Sequence, residues 1–301
     1  MEIVPGSLED VPAAARLISR AEPDRVLTPV AMLHLVRSVP ERARRRIWKA
    51  VEGGGLVAWG ACGLNWESET EGDAYVNLIV DPEHRGRGIG STLWPLLEER
   101  LTEIGAKRVS AIGPDEPGSH AFAAARGFRE SFRLRISRLE LAELAAPPPL
   151  PEGVELRPCS AYAENPRPIW ELDDEVSRDI PLDQPFGEVP YEEWLERYWA
   201  MPMLNLDASL VLLVDGEPAA FTIVASDPET RRCDTGMTGT RRRFRGRGYA
   251  ELVKRHALAR ARASGIEAAF TMNDETNAPM LKVNDRLGYR VSSARVTFSR
   301  P

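Results

Sequence analysis

Cysteine is scarce: there are three in 301 residues, Cys62, Cys159 and Cys233, far apart and odd in number. No CxxC pair occurs, which excludes a readable zinc ribbon or disulfide framework, and a reducing cytoplasm is the expected compartment. No stretch approaches the ~18 consecutive apolar residues of a membrane-crossing helix. The N-terminal MEIVPGSLEDVPAAARL has neither a basic n-region nor a long apolar run, so no signal peptide is expected. A basic surplus is also missing. The net charge is −6, a poor match to a nucleic-acid partner. His34, His84, His120 and His256 fall in no ligand spacing, so no metal is expected. Hydrophobic residues at 43% and charged residues at 28% are ordinary globular usage, and the length suits two domains.

The chain repeats itself. Residues 85–90 read RGRGIG and residues 245–250 read RGRGYA, an offset of 160. Gly127-Phe128 returns as Gly288-Tyr289, an offset of 161. A period this long means two copies of one domain. Between them, residues 145–153 read AAPPPLPEG, which neither a helix nor a central strand tolerates. The expected division is therefore 1–144, a linker at 145–153, and 154–301. In the first copy the pattern predicts a strand over 74–80, a helix over 91–104, a strand over 107–112 and a short helix over 119–126. In the second it predicts a strand over 234–240, a helix over 248–264, a strand over 267–273 and a helix over 277–287. Asp215-Gly216 between apolar runs signals a hairpin. The expected class is α/β (α+β), a mixed sheet flanked by helices in each half.

A strand, a glycine-rich loop and an amphipathic helix in succession make a pyrophosphate cradle. Glycines leave main-chain N–H groups uncovered, and the helix start adds partial positive charge. Arg85, Arg87, Arg245 and Arg247 stand in the two loops as candidate phosphate partners. No Walker lysine follows either loop, and the spacing is not that of a dinucleotide fingerprint.

These residues resemble the GNAT acyltransferases. VNLIVDPEHRGRGIG is similar to the family's first motif, and TGMTGTRRRFRGRGYA matches it with departures at Thr240 and Arg241–Arg243. TMNDETNAPMLKVNDRLGYR is similar to its second motif. The tandem layout resembles that of mycothiol synthase. The resemblance implies acetyl-CoA as acyl donor and direct transfer to an amine. The pyrophosphate would lie on Arg85, Gly86, Arg87, Gly88, Ile89, Gly90 and Ser91, and on Arg245, Gly246, Arg247, Gly248, Tyr249 and Ala250. The thioester carbonyl would lie near Leu78, Ile79 and Val80, or near Thr238, Gly239 and Thr240. Asn277 stands at the family's usual Asn; its counterpart is Glu116.

The resemblance also places a carboxylate eleven residues before the first loop Arg. That position is Asp234 in the second copy and Ala74 in the first. A free amine is about one molecule in 2,500 at pH 7, a cost of about 4.6 kcal/mol, so a general base is valuable. Asp234 as base makes the C-terminal copy the expected catalytic half, the N-terminal copy being a coenzyme binder or a remnant. Many family members carry a Tyr as general acid seven residues after the Asn. Here those positions are Asn284 and Ala123. Asn284 can hydrogen-bond the sulfur, and Tyr289 or Tyr249 can stand in as acid.

For the acceptor, the segment from 170 to 199 is rich in acids and aromatics: Trp170, Asp173, Asp174, Glu175, Asp179, Asp183, Glu188, Tyr191, Trp194, Tyr198 and Trp199. Such a set suits a cationic small-molecule amine, or a solvated helix with core aromatics. The functional expectation is N-acetylation of a small primary amine by a monomer or homodimer, with no membrane partner. Two alternatives stay open: a non-catalytic acyl-CoA-binding module, and acetylation of a cysteinyl sugar.

Overall fold

Residues 1–180 and 189–301 are described in the computed structural model, and they divide into two units. One is Met1–Arg133 with Ala294–Pro301; the other is Leu134–Ser293. The Pro-rich stretch 145–153 carries no helix or strand.

The first unit runs β1 (Glu2–Pro5), α1 (Val11–Ala21), α2 (Pro29–Arg37), β2 (Arg46–Glu52), β3 (Gly55–Leu64), β4 (Asp73–Val80), α3 (Ile89–Glu103), β5 (Arg108–Pro114) and α4 (Pro117–Ala124). Its sheet has the order β1-β2-β3-β4-β5. All neighbours are antiparallel except β4 and β5. Leu93, Leu97 and Leu101 recur at helical spacing on α3 and are buried with Ala58 and Cys62 of β3. Gly60 lets this helix close on the sheet, since a Cβ there would stand 2.5 Å from Leu93 Cδ2.

The second unit takes residues 134–140 of β6 (Arg129–Glu140). It continues with β7 (Val154–Pro158), α5 (Arg167–Ser177), α6 (Tyr191–Trp194), β8 (Leu210–Val214), β9 (Glu217–Thr222), β10 (Ala225–Asp227), β11 (Arg232–Asp234) and β12 (Thr238–Thr240). Then come α7 (Tyr249–Ala263), β13 (Ala268–Asp274), α8 (Ala278–Leu287) and residues 290–293 of β14 (Arg290–Arg300), the rest of which belongs to the first unit. The strands form two sheets, β6-β13-β11-β10 and β12-β9-β8-β7. The β8–β9 hairpin turns at Asp215 (φ 50°) and Gly216 (φ 83°), the positive-φ pair that matches strand twist. Leu210, Leu212 and Ala220 pack against Val253, Ala257 and Ala261 of α7.

Two departures from the sequence expectation matter. The single strand expected over 234–240 is broken into β11 and β12. Thr235 N–H makes a last rung to Phe270 O at 2.9 Å, and β12 then joins β9 in the other sheet. Gly239 presses on α5 there: a Cβ would lie 2.0 Å from Val176 Cγ1. The second departure is an exchange of final strands. Arg295–Arg300 of β14 pair with β5 in the first unit, and residues 134–140 of β6 pair with β13 in the second. The spatial units therefore do not follow the sequence division of 1–144 and 154–301.

Candidate active site

Both glycine loops have one geometry. Gly86 and Gly88 have φ of 75° and 81°, Gly246 and Gly248 of 77° and 79°. Added Cβ atoms would meet nothing within 4 Å at any of the four. Glycine is thus required by backbone conformation, with open space beside it. The N–H groups from Gly86 to Ser91 have no acceptor among the described residues; the next, Thr92, donates to Gly88 O at 3.0 Å. The same holds from Gly246 to Glu251, with Leu252 donating to Gly248 O at 3.0 Å. Two runs of uncovered donors, each opening a 15-residue helix, fit an anionic diphosphate.

The loop arginines divide. Arg85 Nε donates to Val80 O at 3.4 Å and its Nη1 meets Glu116 at 3.1 Å. Arg245 Nε donates to Thr240 O at 3.0 Å and its Nη2 meets Asp179 at 2.5 Å. The first arginine of each loop thus ties the loop to the strand before it. Arg87 meets Glu52 at 3.0 Å, and Arg247 lies 5.9 Å from the Phe244 ring centre. Positioning of the loop, rather than a free charge, is what Arg85 and Arg245 supply.

In the first unit β4 and β5 pair only at Asp73–Tyr75 with Arg108–Ser110. Beyond that they part, and a cavity of about 640 Å³ opens between them. Leu78, Ile79, Val80, Ala111, Ile112 and Gly113 form its strand walls. Arg85, Gly86, Gly88, Ile89, Gly90 and Ser91 form one end, and Trp94, Phe122, Ala123 and Phe128 add apolar surface. The volume and lining are those of a small-ligand cleft. Its carboxylates are already paired: Glu116 with Arg85, and Glu22 with Arg295 at 2.7 Å.

The second unit has the same fork with different chemistry. β11 and β13 pair at Arg232–Asp234 with Ala268–Phe270, and separate after Thr235. Asp234 ends β11, half-buried. At the fold positions of Trp94, Ala111, Gly113, Ala123 and Phe128 stand Lys254, Thr271, Asn273, Asn284 and Tyr289. Lys254 Nζ donates to Asn284 Oδ1 at 2.8 Å, and Asn284 Nδ2 donates to Asn273 Oδ1 at 2.7 Å. Tyr289 is 5% exposed; its hydroxyl lies 3.3 Å from Thr235 Oγ1, and burial holds its pKa well above the ordinary value. Asn277 caps α8, accepting from Met280 N–H at 3.3 Å. Thr238 shares a hydroxyl contact of 2.7 Å with Thr222, and Tyr249 packs on the core. Asn277 is thus placed as a helix cap and Tyr289 as a core side chain with its hydroxyl toward Thr235. Lys254 escaped the sequence reading, although a lysine in line with Val253, Ala257, Leu258 and Ala261 on an apolar helix stripe was a visible signal.

The acid-aromatic segment is largely taken up internally. Asp179 pairs with Arg242 and Arg245, whose hydrogen bonds hold its carboxyl well below the usual range. Glu175 accepts from Arg242 N–H at 3.0 Å, and Asp174 pairs with Arg178. Asp173 is half-buried and accepts the Trp194 indole N–H at 2.7 Å, and desolvation of its carboxyl pushes its pKa up to about 6. Trp170, Tyr191, Trp194 and Trp199 pack in one cluster. Loop and helix guanidiniums thus engage Asp174, Glu175 and Asp179, in keeping with the alternative of a solvated helix with core aromatics. Asp183 and Glu188 lie outside the described residues. Among the described residues no acid, histidine and cysteine cluster is suited to a metal, and no helix is long and apolar enough to cross a membrane.

A strand fork, a glycine-lined anion cradle and a following helix, present twice, are the architecture of an acyltransferase. The model of the acetyltransferase (GNAT) family matches residues 18–128 and again 169–289, and the chain belongs to that family. It is similar to a mycothiol acetyltransferase of Actinosynnema mirum, 25% identical over 97% of this chain and 96% of that protein. A mycothiol acetyltransferase of Clavibacter michiganensis subsp. michiganensis is 27% identical over 76% and 73%. Among solved structures, a tandem GNAT protein from the clavulanic acid biosynthesis pathway has a TM-score of 0.75 at 23% identity, covering 99% of this chain and 98% of that one. A GCN5-related N-acetyltransferase from Sphaerobacter thermophilus gives 0.72 at 19%, covering 99% and 95%.

Proposed function

We propose that the protein is an acetyl-CoA-dependent N-acetyltransferase acting on a primary amine of a small molecule, with its chemistry in the C-terminal unit. One observation carries the choice of half: the first fork is walled by Trp94, Ala111, Ala123 and Phe128, whereas the second sets Asp234 and Lys254 near the same crossing. The uncovered N–H groups from Gly246 to Glu251 hold the coenzyme diphosphate. Main-chain amides around Thr238–Thr240 receive the thioester carbonyl as it becomes an oxyanion. Asp234 removes the proton from the attacking amine, directly or through water. The C–S bond then breaks, and a thiol pKa near 8.5 makes the thiolate a tolerable leaving group. The N-terminal cleft holds a second coenzyme without chemistry.

The test is CoA release from acetyl-CoA over a panel of amines, with calorimetry of acetyl-CoA binding alongside. Turnover on at least one amine supports the proposal. Because near-full-length relatives are named mycothiol acetyltransferases, a cysteinyl amino sugar belongs in the panel. Binding without turnover on any amine favours the second reading, a non-catalytic acyl-CoA module. The lack of a tyrosine at positions 123 and 284 points that way.

A further inference from the structure

Lys254 has no role in the proposed reaction. Its side chain is 1% exposed. Nζ donates to Asn284 Oδ1 at 2.8 Å and to Thr271 Oγ1 at 3.4 Å, and lies 5.0 Å from the centre of the Tyr289 ring. Among the described residues no carboxylate stands within ion-pair distance of it. A buried ammonium held by neutral acceptors is costly. The fold does not need it, because α3 carries Trp94 at the same step, with its indole N–H given to Glu98 at 3.1 Å. Asn273, Asn284 and Thr271 replace Gly113, Ala123 and Ala111 at the matching positions. The polar group is thus present as a set in one unit and missing as a set in the other.

The set sits at the floor of the fork. Thr271 Oγ1 donates to Thr235 O at 3.4 Å, and Thr235 makes the last rung between β11 and β13. We propose that Lys254 is a positioning residue for the leaving coenzyme thiolate: its ammonium fixes the Asn284 amide and places positive potential where the sulfur acquires charge. The inference rests on the reading of this fork as the donor site. When the tetrahedral intermediate collapses, the C–S bond breaks and its electron pair stays on sulfur. Lys254 keeps its protons, and the thiolate takes a proton from solvent after release. The groups facing Lys254 are Cys233 and Asp234 from β11, Thr271 from β13, Asn284 from α8 and Tyr289 beyond it. Burial lowers its own titration to about 7, with Asp234 opposing. A thiolate brought into the fork returns it to the charged form.

The experiment measures the ionisation of bound CoA in the full-length protein. The parent carries Gly86→Glu so that the C-terminal loop takes the coenzyme. Binding is followed by calorimetry, and thiol ionisation by ultraviolet thiolate absorption across a pH series. In the parent the bound thiol is expected to titrate at least about one pH unit below its free value of about 8.5. With Lys254→Met added, CoA still binds but its thiol titrates at or above the free value, about a tenfold loss of thiolate affinity. Desulfo-CoA binds both proteins equally, which a merely structural role for Lys254 would not give. Should Lys254→Met fail to fold, Asn284→Asp keeps an acceptor for Nζ while cancelling its charge, and is expected to raise the thiol pKa likewise. An unchanged thiol titration in the folded variant overturns the proposal and leaves the donor-site reading standing. No heat of CoA binding to the parent overturns the donor-site reading and the proposal with it.

Discussion

Arg295 reaches Glu22 through two hydrogen bonds of 2.7 and 2.9 Å across 273 positions of sequence. Both side chains are nearly buried, at 13% and 10% exposure. They tie the C-terminal strand to the end of α1 inside the first unit. Arg295→Met leaves Glu22 with Arg25 alone. A buried carboxylate left without any partner costs about 3 kcal/mol; with Arg25 still on Glu22, urea unfolding is expected to show a loss smaller than that.

The same exchange predicts the fate of separated halves. A fragment of residues 1–144 lacks Arg295–Arg300, the partner of β5, and exposes an unpaired sheet edge. It is expected to aggregate or remain partly unfolded. Co-expression with 145–301 should restore a soluble complex, measured by size-exclusion chromatography and circular dichroism.

Lys254 makes stability depend on pH in a defined direction. Burial depresses its pKa from 10.5 to about 7, so the unfolded chain binds more protons between those values. Stability therefore rises with pH from about 7 to about 10, and the penalty of charging the buried amine is fully present below 7. Lys254→Met removes this term. Its Tm advantage over wild type is expected to be largest below pH 7 and to shrink above it, as thermal scans across pH will show.

Asp234→Asn tests the base. The expected effect is a fall in kcat/KM of about 10²–10⁴ near neutrality. The deficit should narrow as pH approaches the pKa of the acceptor amine, where the nucleophile is already free. Full activity from pH 6 to 9 would end the assignment of Asp234.

Gly86→Glu and Gly246→Glu place a carboxylate in each cradle at a positive-φ position. Each is expected to reduce calorimetric stoichiometry for acetyl-CoA from two to one per chain. Gly246→Glu should also abolish transfer. Loss of transfer from Gly86→Glu alone would move the chemistry to the other unit.

The duplication, the glycine loops and their flanking strand and helix were legible because each is local. A turn at positive φ needs glycine, a helix needs a spaced apolar stripe, and the Asp215-Gly216 hairpin needs its two residues. Helix α7 came within a residue or two of its expected bounds for that reason. The break between β11 and β12 was not legible, because it depends on Phe270 taking the last rung and on Val176 pressing Gly239. The ion pairs of Glu175 and Asp179 were not legible for a related reason: their arginine partners lie more than 60 residues away along the chain.

Sequence alone determined that this chain is a doubled domain with two glycine loops, each between a strand and a helix, since backbone conformation and hydrophobic period are written within a few residues. Only the tertiary structure decided which strand completes which unit and which groups stand at each fork. Those depend on pairings between distant residues, which bury a lysine of the apolar stripe among Thr271, Asn284 and Tyr289.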